Sequence, residues 1–269
     1  MQDPLNIAPS RAKKSRDGQS LNLYKRLGET PRERLERLRV QKYEYENEVL
    51  SYAGRLDPMA EGVLLALVGP ANKERDKYLD LDKEYVLDIL FGFSTNTYDV
   101  LGKVLARGDA SHIERVQVRQ ALNEFRGDVS QEYPPYSSKT VDGRSLFEWA
   151  RSGAIGSLVL PSRSVKVYSI NLVDMYKVPE PQLLHYISES VGLVQGDFRQ
   201  EEIIRLWERE LRTGGMREFP AATVKVECSS GTYMRSIAND LGRHLGVPAL
   251  ALHITRTRVG DFLIDKSLK

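Results

Sequence analysis

The sequence predicts an α+β domain built around a central, mostly antiparallel mixed sheet with flanking helices. Three observations carry this expectation. Runs rich in strand formers, such as residues 85–91 and 223–228, are interleaved with capped amphipathic helical stretches such as residues 200–212. No strict strand–helix–strand rhythm and no internal repeat is visible. Finally, 269 residues suffice for one extended core, so one domain carrying an insertion is the leading organisation.

Taken in order, residues 1–21 are polar and carry a basic run of Arg11, Lys13, Lys14 and Arg16. A disordered tail is the favoured reading, and an arm that touches phosphate is the alternative. Thr30-Pro31-Arg32-Glu33 has the form of a capping box with proline at the first helical position, and Leu35 and Leu38 follow on one face. A helix over residues 31–42 is the result. The apolar run at 62–69, bounded by Gly62 and Gly69, suits a buried strand by its length. Residues 72–80 are compatible with a helix. Ser111 and Glu114 form a second capping box, opening a helix with Ile113, Val116, Ala121, Leu122 and Phe125 that stops at Gly127.

A loop-rich stretch at 133–143 precedes a short helix at 146–151, and alternation over 165–173 marks a strand. In residues 200–212, Ile203, Ile204, Trp207 and Leu211 make a buried stripe. A strand at 223–228, a helix at 233–245 and a strand at 250–255 close the chain. Residues 178–196 carry no readable role.

Several function classes are disfavoured. Cys228 is the only cysteine, which removes internal disulfides and thiolate clusters. His112, His185, His244 and His253 stand in no recognised zinc spacing, so no metal or other cofactor is expected. There is no apolar stretch of about 20 residues and no secretory apolar region, so the expectation is a cytoplasmic protein without a membrane. The formal net charge of +2 is too mild to announce nucleic acid by itself.

The most specific segment is Gly54-Arg55-Leu56-Asp57-Pro58-Met59-Ala60-Glu61-Gly62. Pro58 pushes Asp57 out of the α region and the flanking glycines permit close backbone approach. A carboxylate is therefore expected on a constrained loop leading into a buried strand. This segment resembles the Gly-x-Leu-Asp-Pro-x-Ala-x-Gly-x-Leu motif of the TruB family of pseudouridine synthases. Further segments resemble the family in the same order: Gly69-Pro-Ala-Asn-Lys73, Asp82-Lys83-Glu84-Tyr85, Gly92 to Gly102 with Thr95, Thr97 and Asp99, and Ser229 to Arg235 followed by Asp240-Leu-Gly242. Pro134-Pro-Tyr136-Ser137, with Gly143, Glu148 and Arg151, is similar to an insertion, here about residues 129–153, that grips a tRNA stem-loop.

The resemblance implies a pseudouridine synthase fold over residues 22–269 and isomerisation of uridine to pseudouridine at position 55 of the tRNA T loop, with no cofactor. It implies Asp57 as the essential carboxylate, Tyr85 as the residue that stacks on the target base, and Arg235 as the partner that keeps Asp57 ionised. Tyr52, Arg55, Asp99, Tyr136, Ser137 and Tyr233 are expected at the substrate, with Lys73, Arg144 and Arg151 toward phosphates. The expected partner is the T-arm stem-loop of tRNA, bound by a monomer.

This chain also departs from the pattern. Tyr52 stands where the family commonly has a histidine, Asn96 replaces a common aspartate, Arg26 stands in the usual Lys-Pro motif, and Lys139 comes one residue early, leaving Thr140 in its place. The C-terminal RNA-binding extension of many relatives is expected to be missing. A synthase acting on ribosomal RNA and a non-catalytic RNA-binding or folding protein are the alternatives.

Overall fold

The computed structural model describes residues 18–213, 215 and 217–269. The basic run at 11–16 lies outside the described residues. Residues 19–21, expected in the polar tail, instead belong to strand β1 (Gln19–Lys25), whose inward positions are Leu21, Leu23 and Lys25. A lysine among the buried positions masked the alternation.

Helix α1 (Pro31–Gln41) starts as expected. Thr30 Oγ1 accepts from Glu33 N at 3.2 Å and the Glu33 carboxylate accepts from Thr30 N at 2.6 Å. Strands β2 (Leu50–Ala53) and β3 (Ala60–Val68) flank the loop that holds Asp57, and the short helix α2 (Arg75–Leu79) leads into β4 (Lys83–Phe91). A small hairpin, β5 (Phe93–Thr95) and β6 (Val104–Arg107), encloses the loop carrying Asp99.

The next helix, α3 (Arg115–Ala121), differs from expectation. Its capping box is Glu114 with Gln117, because Ser111 N is engaged by Asp109 Oδ1 at 2.8 Å in a preceding turn. Val116 consequently points outward. The insertion follows β7 (Gly127–Glu132) and contains β8 (Thr140–Val141), β9 (Arg144–Ser145) and α4 (Leu146–Arg151).

Strand β10 (Ser162–Pro179) is twice the expected length, because register shifts between Val167 and Ser169 and between Leu172 and Asp174 break the two-residue period that marks a strand. Part of the unread segment is α5 (Glu180–Gly192), which pairs with α6 (Gln200–Arg212). Strand β11 (Glu218–Cys228), helix α7 (Met234–Leu245), β12 (Ala249–Val259) and β13 (Phe262–Leu263) complete the fold.

Nine strands form one sheet in the order β1-β3-β12-β4-β11-β10-β7, with β2 on β3 and β13 on β12. Every pairing is antiparallel except β3 with β12, which meet over Ala60–Gly62 and Ile254–Arg256. Gly62 is required there: its φ is +107°, and a Cβ would stand 2.2 Å from the carbonyl oxygen of Arg256. One sheet face packs Leu87, Ile89, Val224 and Val226 against Ile237 and Leu241 of α7. The other packs Leu90, Leu250 and Phe219 against Leu183, Ile187 and Trp207 of α5 and α6. Among the described residues no helix is long and apolar enough to cross a membrane.

Trp207 anchors the second layer, fully buried, with its Nε1 donating to the Val100 carbonyl at 3.1 Å and its ring 5.2 Å from that of Phe93. Trp207→Ala should cost about 3–5 kcal/mol of stability in urea unfolding, and Trp207→Phe clearly less. An unchanged midpoint for the alanine variant would contradict this packing.

Candidate active site

Asp57 occupies a turn in which Ala60 N donates to the Asp57 carbonyl at 3.0 Å. Two neighbours hold this loop by its backbone. Gly28 N donates to the Pro58 carbonyl at 2.9 Å. Arg256, 1% exposed, spends its guanidinium on the carbonyls of Val63 at 2.7 Å, Gly54 at 3.1 Å and Arg55 at 3.3 Å. The carboxylate therefore leaves a loop fixed on both sides, as a reacting group needs.

Arg235 enters from the first turn of α7 and is 3% exposed. Its Nε donates to Asp57 Oδ2 at 2.8 Å, Nη1 to the Thr97 carbonyl at 2.8 Å and Nη2 to the Tyr136 carbonyl at 3.2 Å. Asp99 Oδ2 lies 3.8 Å from the same Nε. Burial alone would lower the pKa of the guanidinium, but Asp57 and Asp99 outweigh it and the net shift is upward. Arg235 is thus a permanent cation facing two carboxylates.

Asp99 is almost fully buried, and its Oδ1 accepts from Thr97 Oγ1 at 2.6 Å and Leu101 N at 3.0 Å. Burial nevertheless pushes its pKa up to about 6, with Arg235 and the Thr97 hydroxyl opposing the rise. The helix that presents Arg235 is pinned at its N-cap, Tyr233. Gln131, 2% exposed, accepts from Tyr233 N at 2.7 Å and donates to the Tyr233 carbonyl at 3.0 Å.

Asp57, Thr97, Asp99, Tyr136, Tyr233 and Arg235 line a cavity of about 600 Å³. Tyr85 contributes from β4, nearly buried, and burial raises its phenol pKa, so it is a neutral ring at ordinary pH. Lys83 also lines the cavity, but its Nζ donates to the carbonyls of Leu79, at 2.6 Å, and Leu81. Burial lowers its pKa to about 8.

Of the residues expected at the site, Asp57, Tyr85, Arg235, Arg55, Asp99, Tyr136, Ser137, Arg151 and Tyr233 meet in this cavity. Tyr52 does not line it. Alternation along β2 turns Tyr52 toward the cluster of Leu35 and Leu38, while Ala53 takes the opposite face. Lys73 is exposed on a turn after β3 and lies outside the cavity lining. Arg144 is exposed in the insertion, stacked 4.4 Å over the Trp149 ring. Arg151 pairs with Asp197 at 3.3 Å.

Sequence reasoning missed Arg256, Gln131, Lys25 and Arg199. Arg256 had a visible signal, since it follows Ile254 on the inward side of an alternating strand. Lys25 is fully buried, with Nζ donating to the carbonyls of Arg26, at 2.9 Å, and Glu29; burial lowers its pKa to about 7. It shapes the turn that presents Gly28 to the Asp57 loop.

The family described as TruB family pseudouridylate synthase (N terminal domain) matches residues 42–193. The tRNA pseudouridine synthase B of Bordetella avium is 32% identical over 219 residues, covering 81% of this chain and 72% of that protein. That of Gloeobacter violaceus is 32% identical over 248 residues, covering 92% and 70%. For Caldanaerobacter subterraneus subsp. tengcongensis the figures are 31% over 218 residues, 81% and 61%, so the chain spans less than two thirds of that relative's length. Among solved structures, a chain of a Cbf5-Nop10-Gar1 complex superposes with a TM-score of 0.55 at 22% identity, over 91% of this chain and 49% of that one.

The fold is that of the pseudouridine synthases, an α+β class with a central mixed sheet. Within that class, the chain belongs to the TruB family.

The buried Asp99 gives a pH signature. Its folded pKa of about 6 lies above the ordinary 3.8, so its stabilising contribution is full below about pH 3.8 and is lost as pH rises through about 6. Relative to Asp99→Asn, the wild-type protein should therefore gain stability on acidification across that window, on the order of 3 kcal/mol. Urea unfolding of both proteins at several pH values measures this. A pH-independent difference would mean that Asp99 is not held protonated by burial.

Proposed function

We propose that the protein isomerises uridine to pseudouridine in tRNA, at position 55 of the T loop, acting as a cytoplasmic monomer. The observation that carries this reading is the Asp57 carboxylate gripped by buried Arg235 in a cavity walled by Tyr85. Membership of the TruB family and relatives named tRNA pseudouridine synthase B support it.

The reaction breaks the bond between N1 and C1′, turns the base and joins C5 to C1′, while C5 gives up its proton to solvent and N1 takes one up. It is an internal exchange of bonds, with no net change in atoms. It asks for an ionised carboxylate beside C1′ and C2′ of the ribose, and for walls that keep the detached base. Asp57 supplies the carboxylate, and Arg235 fixes its direction. Tyr85 offers a ring on which the base stacks and a hydroxyl able to move a proton. Tyr233 closes another side of the cavity.

The target nucleotide must leave the loop stack to reach this cavity, at a cost of a few kcal/mol that contacts in the pocket offset. In this reading Arg55 and Arg151 on the cavity wall, with Arg144 on the insertion, supply contacts to the T-arm backbone. Such contacts should weaken with salt.

With a T-arm stem-loop labelled with tritium at C5 of the target uridine, Asp57→Asn should release no tritium above background. Wild-type protein should turn it over, and both should bind the RNA with similar affinity. Turnover by Asp57→Asn would remove the carboxylate from the mechanism. A stem-loop that is inert when whole tRNA reacts would refute the T-arm as the recognised unit.

A further inference from the structure

Tyr136 lies on the cavity wall, in the insertion. Its hydroxyl oxygen receives two donors, Asn96 Nδ2 and Arg199 Nη2, each at 3.2 Å. The orientation of the Asn96 amide is not free, because Asn96 Oδ1 accepts the Lys103 N–H at 2.9 Å and the nitrogen must therefore face Tyr136. Arg199 has donors only. A phenol oxygen accepts in two directions and donates in one. With both accepting directions filled, the phenol proton has to be given away, and no protein acceptor takes it among the described residues.

The framework around this hydroxyl is held at a cost. Arg199 has φ +60°, in the left-handed region, at the N-cap of α6. A non-glycine residue there is strained and persists only when its surroundings enforce it. Gln200 does so, with Nε2 donating to the carbonyls of Val194 at 2.7 Å and Gly196 at 2.8 Å. At its other end, Tyr136 gives its carbonyl to Arg235 Nη2. The residue is therefore tied to the catalytic pair by its backbone and set in polarity by its hydroxyl.

We propose that Asn96 and Arg199 are positioning residues that make Tyr136 a one-way hydrogen-bond donor to an acceptor oxygen of the nucleotide in the cavity. The inference rests on the RNA-modifying reading of this site. It also gives a chemical consequence to asparagine at position 96. A carboxylate at the same place would accept the phenol proton and turn the hydroxyl away from the ligand. Uracil offers oxygen acceptors at C2 and C4, whereas cytosine carries an amino donor at C4, so a committed donor suits uracil. A phosphate oxygen is the other source of the same chemistry.

The test is a double-mutant cycle on T-arm stem-loop RNA, read as Kd by fluorescence anisotropy and as single-turnover rate at saturation. Asn96→Asp retains the acceptor for Lys103 N, so the unfolding midpoint should stay unchanged. Kd should rise about tenfold, the worth of one hydrogen bond to a polar ligand, with the saturated rate little altered. Tyr136→Phe should show the same loss, and Asn96→Asp should add nothing to it. Losses that add would assign the Asn96 effect to its new charge, and a silent Asn96→Asp would deprive the phenol of any directional role. Either result overturns the proposal. A 4-thiouridine target and a phosphorothioate 5′ to it separate base from phosphate, since the penalty of the correct sulfur should vanish in Tyr136→Phe; no such dependence at either place also counts against it. Because binding is read apart from turnover, an inactive wild-type protein would sink the reaction and leave the cycle interpretable.

Discussion

Taking a guanidinium out of water costs several kcal/mol unless its donors are matched. Arg235 meets that demand by drawing three separate loops to one point: Asp57 from the turn before β3, Thr97 from the hairpin loop, and Tyr136 from the insertion. The planar fork makes the convergence possible, because an ammonium has no fixed directions in which to hold three acceptors. Removing Arg235 would leave the partly exposed Asp57 and the buried Asp99 without their shared cation. The site and the local fold thus share one constraint.

A second arginine does for the backbone what Arg235 does for the side chain. Arg256 sits where β12 runs parallel to β3, and its carbonyl approaches Gly62 too closely for any other residue. From there its guanidinium collects the carbonyls of Gly54, Arg55 and Val63. The parallel pairing of β3 with β12 is therefore also the support of the Asp57 loop.

Much of this was legible in the sequence where local chemistry decides the outcome. The Thr30 capping box and the stripe of α6 each act within a few residues; the box appears as expected, and of the stripe Ile203, Trp207 and Leu211 are buried while Ile204 is partly so. The gathering of Asp57, Tyr85 and Arg235 followed from resemblance, since 178 positions separate Asp57 from Arg235. What escaped turned on partners, near or distant, that a motif does not name. Lys25 and Arg256 are charged residues on buried strand positions, Lys25 held by the carbonyls of Arg26 and Glu29 in the turn that follows it and Arg256 by carbonyls such as that of Gly54, 202 positions away. The bulges of β10 removed its alternation, and Asp109 took the hydrogen bond that would have made Ser111 a helix cap. Tyr52 shows the converse, because correspondence in a motif did not reveal which face of β2 it would take.

The central claim is that this Arg235–Asp57 pair serves the formation of pseudouridine in tRNA. The most direct measurement is nucleotide-resolution mapping of pseudouridine in tRNA from cells lacking the protein, complemented with the wild-type chain or with Asp57→Ala. The account predicts that the T-loop pseudouridine disappears without the protein, returns with the wild-type chain and stays absent with Asp57→Ala. An unchanged T-loop modification in all three, or its restoration by Asp57→Ala, would contradict it.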